Sequence, residues 1–458
     1  MDTARAETYL RLLAEAELRR SSASPGSGPY PHRVLLAATT LLAAGVIDLD
    51  VAWRAVGDFE AAARLRSADG DHVLGGVRRP WTASLPRAPA WTAASATMRA
   101  VPACSTLRLP PEREGWYGEL RLIALVMTDS QTSLTAAIRW AGQTRRSARP
   151  RPGRAPLHVV GALDDRGNSY HASPWDLGIE GDGQGWWDCH LRLSPAPDPA
   201  TRWLDIGPGA GGGYARIDLT ALPTPAEMTV EPEPEPASGP ARLLENAGDD
   251  LLGQGPSAVA AGETSGSRIT RMLGDLTGSG AVEPDDPAVL RLVTVARWVG
   301  LDLGTPSGTA AGGRLPEVWT SLLADGDARD GPEGIAAFAR VLPEIDGVSL
   351  ALAGLRSSPE RVSLHVMASG WEARGGGGLV RGQGAHDDPL DPALSWRARD
   401  DAGRWHLVRG VHRGDRHGML QLHLTPPLHP AATSLEVIVT GASSRVRATV
   451  PLDWRAAS

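Results

Sequence analysis

The sequence predicts an α+β multidomain protein in which a helical hairpin, followed by an antiparallel immunoglobulin-like β-sandwich, occurs twice in tandem. Three observations predict this fold class: a repeated helical motif, repeated strand and turn motifs in the same order, and a change of hydrophobic period after each helical part from about 3.6 to about 2 residues. The chain of 458 residues is long enough for two such units, each with its own core.

Four pairs of motifs carry the prediction of a duplication. The segment 33–48 (RVLLAATTLLAAGVID) returns as 268–283 (RITRMLGDLTGSGAVE), with the same spacing between its arginine and the glycine that follows. The other pairs are Val126-Met127 with Val366-Met367, Asp164-Asp165 with Asp400-Asp401, and Leu191-x-Leu193 with Leu422-x-Leu424. Their offsets of 235, 240, 236 and 231 residues are those of two diverged copies with small loop insertions.

These repeats set the domain boundaries that we expect. The first copy has a helical region (1–66) and a β-sandwich (97–219), and the second has a helical region (241–301) and a β-sandwich (338–452). Between the copies, residues 220–240 contain alternating glutamate and proline (EPEPEP). This alternation is incompatible with helix or sheet and favours an extended polyproline II linker, further stiffened by like-charge repulsion.

Each helical region predicts two helices joined by a glycine. Gly45 and Gly280 stand where a left-handed residue ends a helix. Asp48 follows as the cap of the next helix in the first copy, and Pro284 or Pro287 occupies the first turn in the second. We therefore expect an αα-hairpin in each copy, preceded by an amphipathic helix at the N-terminus.

The strands of each sandwich predict which side chains point inward. Alternation along the repeated strand puts Leu191, Leu193, Leu422 and Leu424 on the inner faces. By the same alternation, Arg192 and His423 are expected to face solvent. The Asp-Asp-x-Gly motifs at 164–167 and 400–403 are expected to be hairpin turns, with glycine supplying a positive φ.

Composition limits the function and the compartment. All of the 46 basic residues are arginine, so phosphate loops, Schiff-base lysines and Ser-x-x-Lys nucleophiles, which all need a lysine, are excluded. The formal net charge of −7 argues against general binding to nucleic acid or to anionic membranes. The N-terminus begins with an amphipathic helix instead of a signal peptide, and no apolar run is long enough to span a bilayer, so we expect a cytoplasmic protein.

The motifs that resemble cofactor or metal sites are expected to have structural roles. The glycines of Gly207-x-Gly209-x-x-Gly212 precede an alternating strand, so they predict a hairpin and no dinucleotide site. One turn with paired aspartates offers too few oxygens to establish a calcium site, so hydrogen bonds to the local backbone are the favoured role and calcium stays an alternative. Neither cysteine belongs to a ligand motif, so Cys104 and Cys189 are expected to be small buried residues. Seven histidines lie in the second sandwich without zinc-ligand spacing, which leaves metal binding there open. We expect no cofactor.

Two surface features are candidate binding sites. One is the arginine loop, a stretch without acidic residues that would dock an acidic partner or phosphates, or meet the acidic loop at 375–392. Its members are Arg145, Arg146, Arg149, Arg151 and Arg154. The other is the pair Trp186-Trp187, placed directly before a strand, of which at least one ring is expected to be exposed.

The sequence indicates a non-enzymatic cytoplasmic adaptor or scaffold that binds another protein. The duplication suits bivalent binding across a stiff linker, and the sequence contains no catalytic constellation, such as a Gly-x-Ser-x-Gly elbow. The alternative is a carbohydrate- or small-ligand-binding protein that uses exposed tryptophans, and the third hypothesis is an enzyme of unknown class. Binding of RNA or polyphosphate by the arginine loop would require an affinity that falls steeply with salt.

Overall fold

A computed structural model describes most of the chain. The residues described are 3–23, 31–66, 98–109, 117–128, 132–141, 160–177, 186–198, 200–208, 213–220, 228–232, 239–261, 263–303, 315–325, 330–358, 361–369, 394–413, 419–441 and 444–455. Contacts divide the chain into two compact units. A helical unit contains Met1–Trp91, Pro234–Leu323 and Gly384–Ala393, and a β unit contains Thr92–Glu233, Ala324–Gln383 and Leu394–Ser458.

Seven helices are present among the described residues. They are α1 (Thr3–Ala23), α2 (Pro31–Ala43), α3 (Leu49–Arg66), α4 (Gly239–Ala261), α5 (Glu263–Gly278), α6 (Pro287–Trp298) and α7 (Glu317–Asp325). Gly45 follows α2 with a φ of 64°, and Gly280 follows α5 with a φ of 71°, as the left-handed ends of these helices require. Asp48 accepts a hydrogen bond of 2.8 Å from the Val51 amide at the start of α3.

The helical unit joins helices from both halves of the chain through a buried aspartate. Asp275, near the end of α5, is 1% exposed. It accepts hydrogen bonds from Arg33 Nη1 on α2 at 2.8 Å and from the Tyr9 hydroxyl on α1 at 2.7 Å. Burial and the hydrogen bond to Asp275 together raise the pKa of Tyr9. These bonds fix α1 and α2 against α5 within one unit.

The β unit contains two antiparallel sheets. The first sheet comprises β1 (Arg99–Pro102), β2 (Thr106–Leu109), β3 (Tyr117–Met127), β4 (Thr132–Ala141), β5 (Val160–Asp164), β6 (Ser169–Leu177), β7 (Trp186–Ser194), β8 (Trp203–Pro208) and β9 (Ala215–Asp218). The second comprises β10 (Met228–Pro232), β11 (Gly334–Ala336), β12 (Arg340–Val341), β13 (Ser349–Ser358), β14 (Arg361–Ser369), β15 (Ser395–Asp400), β16 (Trp405–Arg413), β17 (Met419–Thr425), β18 (Ser434–Thr440), β19 (Ser444–Pro451) and β20 (Trp454–Arg455). The predicted α+β class with antiparallel sheets is therefore confirmed.

The two sheets have the same order of strands. The first runs β1-β3-β4-β7-β6-β5-β8-β9, with β2 on β3, and the second runs β11-β13-β14-β17-β16-β15-β18-β19, with β12 on β13. In the first sheet β4 pairs with β7, and in the second β14 pairs with β17. Pairing with a strand three positions later in the chain is a Greek-key connection. A β-bulge interrupts β3 between Leu122 and Ala124 and β13 between Leu352 and Leu355.

This strand order corrects one of the sequence matches. Val126-Met127 lies on β3, whereas Val366-Met367 lies on β14, which corresponds to β4. The two dipeptides therefore occupy non-equivalent strands. Apolar pairs are common in buried strands, so a match of two such residues does not fix the alignment of two sheets.

Each sheet surrounds a core of its own. The buried leucines Leu191 and Leu193 belong to the core of the first sheet, and Leu422 and Leu424 belong to that of the second, which confirms the predicted inward positions. In the first sheet β1 contacts β9 and β2 contacts β8, so the sheet curls until its two ends meet. The β unit therefore contains two antiparallel sheets of sandwich-like or barrel-like form, and the finer prediction of an immunoglobulin-like sandwich stays a prediction.

The linker prediction is wrong for part of 220–240. Residues Met228–Pro232 form β10, which pairs with β19 at the edge of the second sheet, so that Glu231 lies opposite Arg445. Proline is tolerated at this place because it ends an edge strand, where a missing N–H breaks no ladder. Sequence alternation of Glu and Pro excludes a central strand but does not exclude a short edge strand.

Candidate functional site

The β5–β6 turn of the first sheet is built on a buried carboxylate. Asp164 is 1% exposed. Its Oδ1 accepts hydrogen bonds from the amides of Arg166 and Asn168 at 2.9 and 2.8 Å, and its Oδ2 accepts one from the Tyr170 hydroxyl at 2.7 Å. Burial by itself would raise the pKa of Asp164, but these hydrogen bonds outweigh it and hold that pKa below its ordinary value.

The β15–β16 turn of the second sheet repeats this construction. Asp400 Oδ1 accepts a hydrogen bond from the Arg404 amide at 2.8 Å, and Oδ2 accepts one from the His429 amide at 2.8 Å. Gly167 and Gly403 have φ values of 82° and 91°, which confirms both predicted turns. Protein donors therefore occupy the carboxylate oxygens of both turns, which explains the aspartates without a bound cation.

The second aspartate of each motif ties the turn to the same neighbouring loop. Asp165 accepts hydrogen bonds from the amide and the Nε of Arg202, each at 3.0 Å. Asp401 accepts hydrogen bonds from the amide and the hydroxyl of Thr433. Hydrogen bonds from Arg202 lower the pKa of Asp165, and those from Thr433 lower the pKa of Asp401. The same contact thus recurs with a different donor side chain.

A cavity of about 810 Å³ opens beside the first of these turns. Its walls come from β1, the end of β3, the turn after β5 and the loop after β7. The lining residues are Arg99, Met127, Thr128, Gly167, Asn168, Ser169, Tyr170, Pro195, Ala196, Pro197 and Asp198. One guanidinium and one carboxylate face a wall that is otherwise made of hydroxyl, amide and apolar groups. This lining suits a neutral, polar small molecule.

In the second sheet the corresponding place is filled. Gly331 lies there so close that a Cβ on it would sit 3.1 Å from Pro427 and 3.6 Å from the Ser358 carbonyl. Arg404, the counterpart of Asn168, donates a hydrogen bond of 3.1 Å to the Pro427 carbonyl. Among the described residues, Gly331 and Arg404 thus occupy the place that corresponds to the cavity of the first sheet.

The outer surface of β5, β8 and β9 exposes large apolar side chains, and we call it the aromatic face. It comprises Leu163, Trp203, Asp205, Gly207, Tyr214 and Arg216, which point away from the core. Leu163 is 41% exposed and Tyr214 is 60% exposed. A Cβ on Gly207 would lie 2.6 Å from Cδ1 of Tyr214, so this glycine leaves the space in which the tyrosine ring rests on the sheet.

A stacked ion pair holds the other half of the aromatic face in place. The Arg216 guanidinium lies 3.9 Å from the centroid of the Trp203 ring, within the range of a cation–π contact. Its Nε and Nη2 both donate to Asp205, each at 2.8 Å. These bonds lower the pKa of Asp205 and raise that of Arg216. One face of the Trp203 ring is thus covered by a guanidinium whose charge is paired with Asp205.

The equivalent surface of the second sheet is rich in arginine. Arg399 corresponds to Leu163, because each directly precedes the first aspartate of its turn. Arg447 corresponds to Tyr214, because Arg447 pairs with Ile438 and Tyr214 lies against Gly207 at the same place in the first sheet. Arg399 lies 5.3 Å from the Trp405 ring centroid, and Arg447 forms an ion pair of 3.4 Å with Glu436. The two sheets therefore share a strand order but present different chemistry on this surface.

A third group of polar residues is buried between the two sheets. Arg356 on β13 donates from Nε and Nη2 to the two carboxylate oxygens of Asp188 on β7, at 2.6 and 2.8 Å. Gln421 Nε2 donates to the same carboxylate at 2.6 Å, and His365 Nε2 lies 3.5 Å from it. Burial would raise the pKa of Asp188, but Arg356 and then His365 outweigh it, so that this pKa lies well below its ordinary value.

Two more histidines adjoin this group. The ring of His190 meets that of His365 edge to face, with centroids 5.4 Å apart. His423 Nδ1 lies 3.4 Å from the Ser363 hydroxyl, and His423 is 8% exposed. The expectation that His423 faces solvent is therefore wrong. It lies on the outer face of its own strand, as alternation requires, but the outer faces of the two sheets cover each other.

The two surface features that the sequence indicates are only partly described. All five residues of the arginine loop fall in 142–159, outside the described residues. Trp186 and Trp187 are the first two residues of β7, paired with Arg139 and Ile138, so they lie within the strand and not before it. Their side chains are outside the described residues. The aromatic face was missed because its members are scattered over three strands and only the register brings them together.

The remaining candidates have mixed outcomes. Cys189 is buried as expected, whereas Cys104 is exposed. Within the described part of the chain, no three histidine, cysteine or acidic side chains converge as a metal-binding group. Among the same residues there is no helix whose length and apolar content would carry it across a membrane.

Comparison with protein-family models and with curated protein sequences gives no match. The observations that bear on function are therefore the aromatic face, the cavity and the polar group between the sheets. Of these, the polar group is enclosed: Asp188 is 1% and His365 0% exposed. The aromatic face and the cavity are open to a ligand.

Proposed function

We propose that this chain is a non-enzymatic protein-binding scaffold that uses the aromatic face to bind its partner. The observation that carries the proposal is the exposure of Leu163 and Tyr214 beside the Trp203–Arg216 stack. Tryptophan, tyrosine and arginine are the residue types enriched at the energetic centres of protein interfaces. Contiguous exposed apolar side chains on a soluble domain mark interaction surfaces.

The scaffold is proposed to consist of two tandem copies of a helical hairpin and an immunoglobulin-like β domain. The equal strand order, the equivalent bulges and the repeated turn hydrogen bonds support a duplication. The three helices at 3–66 and the three at 239–298 support it in the helical unit. Because each compact unit takes segments from both halves of the chain, the copies are proposed to act together and not as separable binding modules.

The partner is proposed to be a protein surface with an apolar centre. Arg216 is neutralised by Asp205, so the aromatic face carries no excess positive charge with which to select nucleic acid. A cytoplasmic location belongs to the same proposal, and cell fractionation with detection of the chain would test it.

The test removes the exposed apolar groups while sparing the core. In the variant Leu163→Ser/Tyr214→Ser, we expect unchanged folding and an affinity for the partner at least about tenfold weaker, as for loss of interface hot spots. The partner is first identified by mass spectrometry after capture by the wild-type chain, and its affinity is then measured by calorimetry.

A matched control uses the equivalent positions of the second sheet. The variant Arg399→Ser/Arg447→Ser alters two half-buried side chains on the corresponding surface, and it is expected to bind the partner as the wild type does. Equal affinity of both double variants would remove the aromatic face as the binding site.

A second candidate function, binding of a neutral saccharide or a similar small ligand, is favoured by the cavity beside Tyr170. The substitution Thr128→Trp would fill the cavity, and Asp198→Ala would remove its carboxylate. Loss of binding on a saccharide array by both variants, with binding kept by Leu163→Ser/Tyr214→Ser, would favour this candidate over the scaffold.

A further inference from the structure

The interface between the two sheets is largely apolar and closely packed. Its apolar part is made of small residues and methionines: Ala100, Ala124, Val126, Ala339, Ala351, Ala353, Met367 and Met419. The two β-bulges meet in its centre, where Gly354 has a φ of 90° and a Cβ on it would overlap Ile123. Within this interface, the pair Asp188–Arg356 is a doubly hydrogen-bonded ion pair in which Arg356 is 4% exposed.

Strand register identifies the counterpart of each member of this pair. Leu191 pairs with Leu134 in the first sheet, and Leu422 pairs with Leu364 in the second. Three residues before these leucines stand Asp188 on β7 and Met419 on β17.

The counterpart of Arg356 follows in the same way. Leu134 pairs with Leu125 and Leu364 pairs with Leu355, and the next residues are Val126 and Arg356. Met419 of the second sheet is thus the counterpart of Asp188 of the first, and Val126 of the first sheet is the counterpart of Arg356 of the second. Both of these belong to the apolar cluster of the interface.

We propose that Asp188 and Arg356 are specificity determinants that make the first β domain pair only with the second, and exclude pairing of either domain with its own kind. The inference rests on the tandem duplication of the proposed function. Two copies of one ancestral domain share an interface that would otherwise allow like to pair with like, both within a cell and during folding. The ion pair breaks that equivalence.

The physical basis is the cost of an unpaired buried charge. If two first domains paired, Asp188 of each would face Val126 of the other. If two second domains paired, Arg356 would face Met419. Each arrangement buries two charges without the opposite charge that the observed arrangement supplies through bidentate hydrogen bonds. Pairing of the first domain with the second is therefore favoured because pairing of like domains loses the ion pair.

A double-mutant cycle on the full chain tests the coupling. Asp188→Met and Arg356→Val give each position the residue of its counterpart. Each single variant is expected to lower the ratio of folded to unfolded protein at least about 100-fold, as loss of one partner of a buried ion pair does. The double variant is expected to regain all but about tenfold of it. The measurement is unfolding in urea, and Met419→Leu serves as the control for a conservative change in the same interface. A coupling below about tenfold overturns the proposal.

Exchange of charges tests the choice of partner. The variant Arg356→Asp and the variant Asp188→Arg each place like charges together within one chain, but a mixture allows the two chains to exchange domains so that every pair has opposite charges. After joint refolding, we expect a one-to-one heterodimer by light scattering, absent when either variant refolds alone. Self-complexes formed as readily as the heterodimer would overturn the proposal. Loss of partner capture by the aromatic-face variant with intact coupling here would reject only the binding proposal.

Discussion

The two sheets of the β unit have the same strand order and similar turn hydrogen bonds, yet their outer faces carry different side chains at several equivalent positions. The inner positions hold leucine in both sheets, for example Leu191 and Leu422. One residue further, the outer positions hold Arg192 and His423. The inward residues build each core and are alike in the two sheets, whereas the outward residues make different contacts in each.

If the two cores are equivalent, equal truncations should cost the same. Leu191→Ala and Leu422→Ala each remove a side chain that is fully buried, and each should lower the free energy of unfolding by about 2–5 kcal/mol. Urea denaturation monitored by tryptophan fluorescence measures both. A difference larger than about 2 kcal/mol between them would show that the two cores tolerate cavities differently.

The two bulges differ at one position: the bulge of β13 has Gly354, which lies against Ile123 of the first sheet, whereas β3 has Ala124 there. Gly354→Ala should lower stability by about 1–3 kcal/mol through overlap with Ile123, and by about 1–2 kcal/mol more because φ is positive there. Adding Ile123→Ala should relieve the overlap but not the backbone cost. Calorimetric melting of the single and double variants separates the two contributions.

Arg192 and His423 occupy equivalent outer positions but differ in burial. His423→Ala should cost about 1–3 kcal/mol, since it removes a buried side chain beside Ser363. Arg192→Ala should stay within about 0.5 kcal/mol, because Arg192 is only half-buried. Chemical denaturation of both variants is the measurement. Equal losses would show that the sheets cover each other less than their burial indicates.

The smallest expected effect is a common response of the two turns to acid. The pKa values of Asp164 and Asp400 are lowered in the folded chain, so their stabilisation is present above the unfolded carboxyl pKa of about 3.9. It is lost as the pH falls through the folded values, since the unfolded chain then binds more protons.

Replacing either aspartate by asparagine should therefore flatten the rise of stability with pH between about 2 and 5 by up to one proton. Unfolding in urea at several pH values measures this slope. An unchanged slope for only one of the two variants would show that the turns differ in their electrostatics despite their similar hydrogen bonds.

Local features of the fold could be predicted from the sequence, and contacts between distant segments could not. Gly45, Gly280 and the two Asp-Asp-x-Gly turns depend on a few neighbouring residues, so composition and spacing identify them. The burial of His423 depends on a second sheet that covers its face. Alternation states that His423 and Leu422 point to opposite sides, but it does not state whether both sides are covered.

The same limit applies to the candidate sites. Trp203, Tyr214 and Arg216 come together only through the pairing of β8 with β9, and Asp188 meets Arg356 across 168 residues of sequence. A search for compact motifs favours the arginine loop, where five like charges are close in sequence. Residues that meet only through strand pairing or across two sheets are far apart in sequence, so they form no compact motif.

The ion pairs that cross between the two halves of the chain have a consequence for biosynthesis. Arg33 and Asp188 are synthesised before their partners Asp275 and Arg356, so the first half lacks these contacts when it leaves the ribosome. At the usual rates of translation, the first sheet is complete several seconds before β13 emerges. During that interval the face that carries Ile123 and Ala124 lies open while a carboxylate stands at its edge. A charged group at that place makes this face less apolar until the second half of the same chain covers it.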